Sequence, residues 1–339
     1  MILLCVTAGN RMPADRLLGA LAGSSWFWRI LPVTYERLLA EGPPCLGGTW
    51  LFADIESLDA DRRDRLAGLR MRLSDSHPPG LVLNDPHSTL RRFELLSRLH
   101  ADGTNQFRLF RASEPLPADL RYPVFLRGEN DHHGSRTPLL HDRGELALAM
   151  QEHLTDGGKG WVVTEFADAR GADGLVRKYS AFCVGDLVVP RHLFFSREWM
   201  LKEADVIDAA CDREEWAYLN DNPHADELRR IFNLAGVAYG RIDYGWVGGR
   251  VQVWEINTNP VVLRINHTWN GPRAAQHRLF RERLLGAFER IDRPVTRFPR
   301  RNKLADLANQ FRRSYADIVL PAIRPALRAA AGVKRRLRA

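Results

Sequence analysis

Short apolar runs and longer amphipathic stretches alternate along the first eighty-five residues, and the two kinds have different periods. The runs Ile2 to Val6, Arg29 to Val33, Trp50 to Ala53 and Leu81 to Leu83 read as buried strands. Helical patterns near Ala14 to Ala22 and Ala60 to Arg72 separate them. Strand and helix in alternation predict a small parallel α/β sheet. No G-x-G-x-x-G occurs in it, so the dinucleotide fingerprint is absent. The cluster Trp26-Phe27-Trp28 reads as core more readily than as a ligand-lining wall.

Beyond Asp85-Pro86 the pattern changes. Ser88 is placed to cap a helix from about Thr89 to His100, with the segment Gln106 to Phe110 after it. Tyr122 to Arg127 and Trp161 to Ala167 read as strands, and Leu175 to Val184 with Asp186 to Phe195 as a hairpin turning at Gly185. Helical patterns cover Ala204 to Leu219, Ala225 to Leu234 and Pro272 to Ile291.

The stretch Gly240 to Pro260 carries the chemistry. Two runs rich in β-branched and aromatic residues flank Gly248-Gly249, so it reads as a hairpin with strands ending near Arg241 and Asn257. Arg241 and Asp243 share one strand face, and so do Glu255 and Asn257 on the partner. A two-residue loop sets Asp243 opposite Trp254, whereas a three-residue bulged loop through Arg250 sets Asp243 opposite Glu255 and Arg241 opposite Asn257. The bulged loop is the expectation adopted. In that register two carboxylates face each other, a pairing that strands avoid unless a cation sits between them. A hard ion such as Mg²⁺ suits the two acids, with Asn257 adding a neutral oxygen.

Arg-Ile-Asp, a hairpin and then Glu-Ile-Asn-Thr-Asn-Pro resemble the terminal metal-binding signature of the ATP-grasp ligases, the superfamily of D-alanine:D-alanine ligase, glutathione synthetase and the ribosomal-protein glutamate ligases. The resemblance implies an α/β architecture with a small N-terminal domain (1–85) and an ATP-grasp domain (86–292) in two lobes, about 86–160 and 161–292. It also implies two Mg²⁺ ions, or Mn²⁺, on Asp243, Glu255 and Asn257, with Arg241 steadying the transferring phosphoryl group. Other parts of the pattern are looser. The strand that ends in Lys in the family ends here in Arg127, a planar fork in place of a point charge. The loop Gly128 to Ser135 after it, with Gly134 and Ser135, is suited to closing over phosphates. Val163, Glu165 and Ala167 fall where the family holds adenine. Arg177-Lys178 are either a solvated strand edge or a second cationic clamp, and Lys202 is a further phosphate or carboxylate partner. Arg264, Asn266 and His267 fall where the family places acceptor contacts.

Four other features are set aside or left open. Asp156-Gly157-Gly158-Lys159-Gly160 lacks the Ser/Thr and the following helix of a P-loop and reads as a turn. His132-His133 have no third ligand at useful spacing. The four cysteines show no metal or redox spacing, and a reducing cytoplasm is the simplest setting. The formal net charge of +8 is uneven: residues 293–339 hold thirteen Lys/Arg against Asp306 and Asp317, while the rest carries 36 basic and 39 acidic residues. That basic amphipathic tail suits an anionic membrane surface, RNA or an acidic partner, or else a helix docked on the body.

The function expected is an ATP-dependent carboxylate–amine ligase working through an acyl-phosphate on small-molecule or peptide substrates. The alternatives are a nucleotide-binding module of the same fold without ligase activity, or a membrane- or RNA-binding protein acting through the tail.

Overall fold

The computed structural model describes residues 1–43, 46–75, 81–131, 134–154, 157–201, 204–263, 271 and 273–297. In chain order these form β1 (Ile2–Val6), α1 (Met12–Leu21), β2 (Ile30–Thr34), α2 (Tyr35–Glu41), β3 (Leu46–Gly47), β4 (Thr49–Phe52), α3 (Ala60–Ser74) and β5 (Leu81–Leu83). There follow α4 (Arg92–Ala101), β6 (Leu109–Arg111), β7 (Val124–Gly128), α5 (Arg143–His153), β8 (Trp161–Glu165), β9 (Val176–Val184) and β10 (Leu187–Ser196). The chain continues through α6 (Ala209–Asp221), α7 (Ala225–Ala235), β11 (Tyr239–Val247), β12 (Arg250–Asn257), α8 (Ala274–Ile291) and β13 (Val295–Arg297). The chain divides into two compact units, Met1–Ser88 with Thr258–Ala339, and Thr89–Asn257. Among the described residues no helix is long and apolar enough to cross a membrane.

In the first unit a parallel sheet runs in the order β2-β1-β4-β5. Strands covered on both faces read as continuous apolar runs, which is why the sequence lacks alternation here. Leu3, Cys5, Leu31, Val33, Trp50 and Phe52 share one core cluster with Leu66, Leu69 and Leu73 of α3 and with Tyr35 and Leu38 of α2. Trp26 and Phe27 are buried, as the core reading expects, while Trp28 is exposed.

The second unit holds two antiparallel sheets, β6-β8-β7 and β10-β9-β11-β12. On the first sheet, Val124, Leu126 and Val163 pack against Leu146 and Ala149 of α5. Glu165 at the end of β8 fastens the sheet together. Its carboxylate accepts from Arg108 Nε at 3.0 Å and Nη2 at 2.7 Å, and from Arg121 Nε at 3.0 Å and Nη2 at 2.6 Å. The backbone N–H groups of Arg108 and Arg121 also donate to it. Arg108 precedes β6 and Arg121 precedes β7, so one buried carboxylate joins the entries of both outer strands to the middle one. On the second sheet, α7 presents Leu228, Ile231, Phe232 and Ala235 as one buried stripe, and Gly236 ends it at φ 67°.

Three expectations are corrected. The helix placed from Thr89 begins at Arg92, and Ser88 is not its cap. The reason is that Thr89 Oγ1 and Leu90 N–H donate to the carbonyls of Gly236 and Ala235 instead of entering a helix. At Arg177 and Lys178 β9 is paired with β10 alone, its pairing with β11 starting at Tyr179, but the two side chains are part-buried in ion pairs with Asp173, Glu214 and Asp243, so the solvated part of the solvated-edge reading does not hold. The signature hairpin turns on two residues, with Val247 paired to Arg250. Both Gly248 and Gly249 lie in the left-handed region (φ 57° and 78°), the geometry that matches strand twist. The extra residue sits further down, where Tyr244 pairs with Val253 and Asp243 with Glu255, leaving Trp254 as a bulge. Trp254 stacks on Phe107 with centroids 5.6 Å apart. Gly245 makes room for it, since a Cβ there would stand 2.8 Å from Trp254 Cζ2.

Two outcomes follow. Gly245→Ala displaces the bulged indole and is expected to lower stability by about 1–3 kcal/mol in denaturant melts. For Glu165, burial favours the neutral acid, but the hydrogen bonds from Arg108 and Arg121 outweigh it and hold the group down at about 2. A lowered folded pKa contributes stability that is present above the ordinary glutamate range and lost as pH falls towards 2. Glu165→Gln is therefore expected to flatten the acid limb of the stability profile between about pH 4.5 and 2, by roughly 3 kcal/mol at most. Chemical denaturation at stepped pH measures it.

Candidate functional site

Within the second unit a cleft of about 1010 Å³, its open mouth included, is lined by residues of both sheets. Its walls are aromatic. Phe125 and Phe166 flank Trp199, with ring centroids 5.1 and 5.6 Å from it, and Phe107 and Trp254 form a second stack. Arg127, Lys178, Asp243 and Glu255 also line it, as two ion pairs, Arg127 with Glu255 and Lys178 with Asp243, whose acids share one rung of the ladder.

The bulge at Trp254 builds that rung. By adding one residue to β12 it sets Asp243 opposite Glu255 and Arg241 opposite Asn257, and it turns both Trp254 and Glu255 towards the cleft. Asp243 is buried. Ser180 Oγ donates to its Oδ1 at 2.8 Å, Arg241 Nε lies 3.0 Å from the same oxygen, and Lys178 Nζ lies 3.4 Å from Oδ2. Ser180 pairs with Asp243 across β9 and β11, and Lys178 is two residues from Ser180 on the same strand face.

Glu255 is held by arginine. Arg92 Nη2 forms an ion pair with Glu255 Oε2, and Arg127 Nη2 stands 3.3 Å from the same oxygen. Arg92 Nη1 also donates to the carbonyls of Gly128, Glu129 and Asp131 at 3.1, 3.0 and 2.6 Å. One buried guanidinium thus fixes the start of the loop after β7 and a carboxylate of the hairpin together. Burial and the neighbouring charge of Arg92 push the Arg127 guanidinium down to about 10, against the opposing pull of Glu255, so it stays charged near neutrality. Its Nε is buried with no hydrogen-bond partner among the described residues.

The other expected residues fall as follows. Gly134 lines the cleft, and Ser135 Oγ donates to the Thr137 carbonyl at 2.6 Å, closing the loop locally. Val163 faces away, into the core with α5, and the N–H of Glu165 donates to the Arg108 carbonyl. Phe166 and Ala167, just beyond the strand, line the cleft. Asn257 is buried two residues from Glu255. Lys202, Arg264, Asn266, His267 and His132-His133 lie outside the described residues, as does the tail after 297.

Arg92 was absent from the sequence reading. The signal was there: Arg92, Leu95, Leu96 and Leu99 all lie on the buried stripe of α4, so a cation occupies an apolar face and must meet a partner.

Among the described residues no group of three or more His, Cys, Asp or Glu could enclose a metal ion. Two facing carboxylates and an amide instead fit a cation that draws its remaining ligands from water and from phosphate, the habit of Mg²⁺. Across Arg92, Arg127, Lys178, Arg241, Asp243 and Glu255, four positive groups meet two negative ones. That excess suits a polyanion, with which a cation would share the two carboxylates.

No family model matches the sequence, and no curated protein matches it. Solved structures similar to the chain include D-alanine–D-alanine ligase from Bacillus anthracis, at 13% identity over 85% of this chain and 98% of that one, with a TM-score of 0.49. An L-amino acid ligase from Bacillus licheniformis is similar at 14% identity over 76% of this chain and 66% of that one, with a TM-score of 0.43. A RimK-domain ATP-grasp protein from Sphaerobacter thermophilus is similar at 16% identity over 77% and 92%, with a TM-score of 0.44. At these identities the likeness is one of fold.

Proposed function

We propose that this protein is an ATP-dependent carboxylate–amine ligase of the ATP-grasp type. The observation that carries the reading is the cleft itself: aromatic walls sized for a base, and beside them four cations around two facing carboxylates.

In this reading the base of ATP lies against Trp199 and its neighbours, and the phosphates meet Arg127 and Lys178. Asp243 and Glu255, with Asn257, would hold Mg²⁺. When bound, the ion supplies neutralisation of phosphate charge and alignment for in-line transfer. An oxygen of a substrate carboxylate attacks the γ-phosphorus, the bond to the bridging oxygen breaks, and ADP leaves an acyl-phosphate. An amine then attacks the acyl carbon, phosphate departs with the bonding pair, and the amine proton passes to solvent. Arg241, beside Asp243, stabilises negative charge on the transferring group and on the tetrahedral species. The loop after β7, held by Arg92 at Gly128, Glu129 and Asp131, keeps water from the acyl-phosphate.

The test is ADP release from ATP and Mg²⁺ in the presence of pooled amino acids and peptides. Release that needs both a carboxylate and an amine is expected, with Glu255→Ala and Asp243→Asn each slowing it by about 100-fold or more. Circular dichroism of both variants separates lost chemistry from lost folding. Tight ATP binding with no ADP from any pool would instead identify a nucleotide-binding module.

A further inference from the structure

Thr164 lies in β8 opposite Phe125 of β7 and Leu109 of β6, with its side chain on the cleft wall. The residue is 4% exposed, and its Oγ1 has no hydrogen-bond partner among the described residues. A hydroxyl withdrawn from water without a partner is unfavourable, and valine would fill the same volume without that penalty. The next residue does not supply the missing partner to the cleft, because the Glu165 carboxylate is taken up by Arg108 and Arg121. Thr164 is therefore a neutral donor and acceptor among the apolar side chains Phe125, Phe166 and Trp199 that line the same cleft.

Resting on the nucleotide reading above, we propose that Thr164 is a specificity-determining residue of the base subsite. Its hydroxyl hydrogen-bonds a ring nitrogen or the exocyclic amine on the edge of the purine. The phosphates have their own partners in the charged cluster, so the hydroxyl is left for the uncharged, flat part of the ligand. Aromatic walls grip ring faces but do not read ring edges; a buried hydroxyl does, because a ring without a polar edge leaves it unpaired.

The experiment is calorimetric binding of Mg·ATP and of magnesium tripolyphosphate to wild type, Thr164→Val and Thr164→Ser. Valine is expected to weaken ATP binding about three- to tenfold, serine to restore it to within about twofold, and tripolyphosphate to bind all three alike. Equal or tighter ATP binding by Thr164→Val overturns the proposal. So does a loss that extends equally to tripolyphosphate. A wild-type protein that takes up tripolyphosphate but not ATP defeats the nucleotide reading itself, a result distinct from both.

Discussion

Two carboxylates on one rung of a β-ladder are the constraint that organises the second unit. Asp243 and Glu255 face each other across β11 and β12, an arrangement that costs repulsion wherever counter-charge is missing. Counter-charge arrives from three further elements: Lys178 from β9, Arg127 from β7 and Arg92 from α4. Arg241 adds a fourth group from β11 itself. Each of these elements is therefore located by a charge as well as by its apolar packing. The position of the loop after β7 follows from the same constraint, because the guanidinium that meets Glu255 also binds three of the loop's carbonyls.

A division of labour runs through the cleft. Dispersion and burial shape the aromatic walls. The charged cluster carries an excess of cations that has no counterpart among the aromatic side chains. Both sheets contribute to both kinds of wall, Arg127 coming from β7 and Trp254 from β12. Phe125 and Thr164 belong to β6-β8-β7, while Lys178, Asp243 and Glu255 belong to β10-β9-β11-β12.

Much of this arrangement was legible in the sequence, unevenly and for identifiable reasons. The parallel strands and α1, α3, α7 and α8 follow from period and apolar runs. The pairing of Asp243 with Glu255 was reached through the wrong loop, because the sequence does not reveal whether the extra residue lies at the tip or lower on a strand. Gly245 opposite a tryptophan-bearing strand was the available hint. α5 carries an N-terminal signature that went unread: Asp142 accepts from the Glu145 N–H at 2.9 Å, and Glu145 Oε2 accepts from the His141 N–H. Of the three residues named for a backbone contact, Glu165 and Ala167 line the cleft, while the Val163 side chain packs with α5, a choice of face that a run as apolar as Trp161-Val162-Val163 does not reveal. Thr164 gave no signal, threonine being ordinary in strands.

The turn and the bulge of the signature hairpin have a joint consequence for how such sequences can drift. Alternation along a strand has parity two, so a straight ladder below the two-residue tip would set Trp254 opposite Asp243 and turn Glu255 to the far face. A tip one residue longer would reach the acidic rung without a bulge, with Trp254 taken into the ladder opposite Tyr244. Tip length and bulge are thus interchangeable routes to the same pair of acids, and the bulge is the one that leaves the indole free to stack on Phe107.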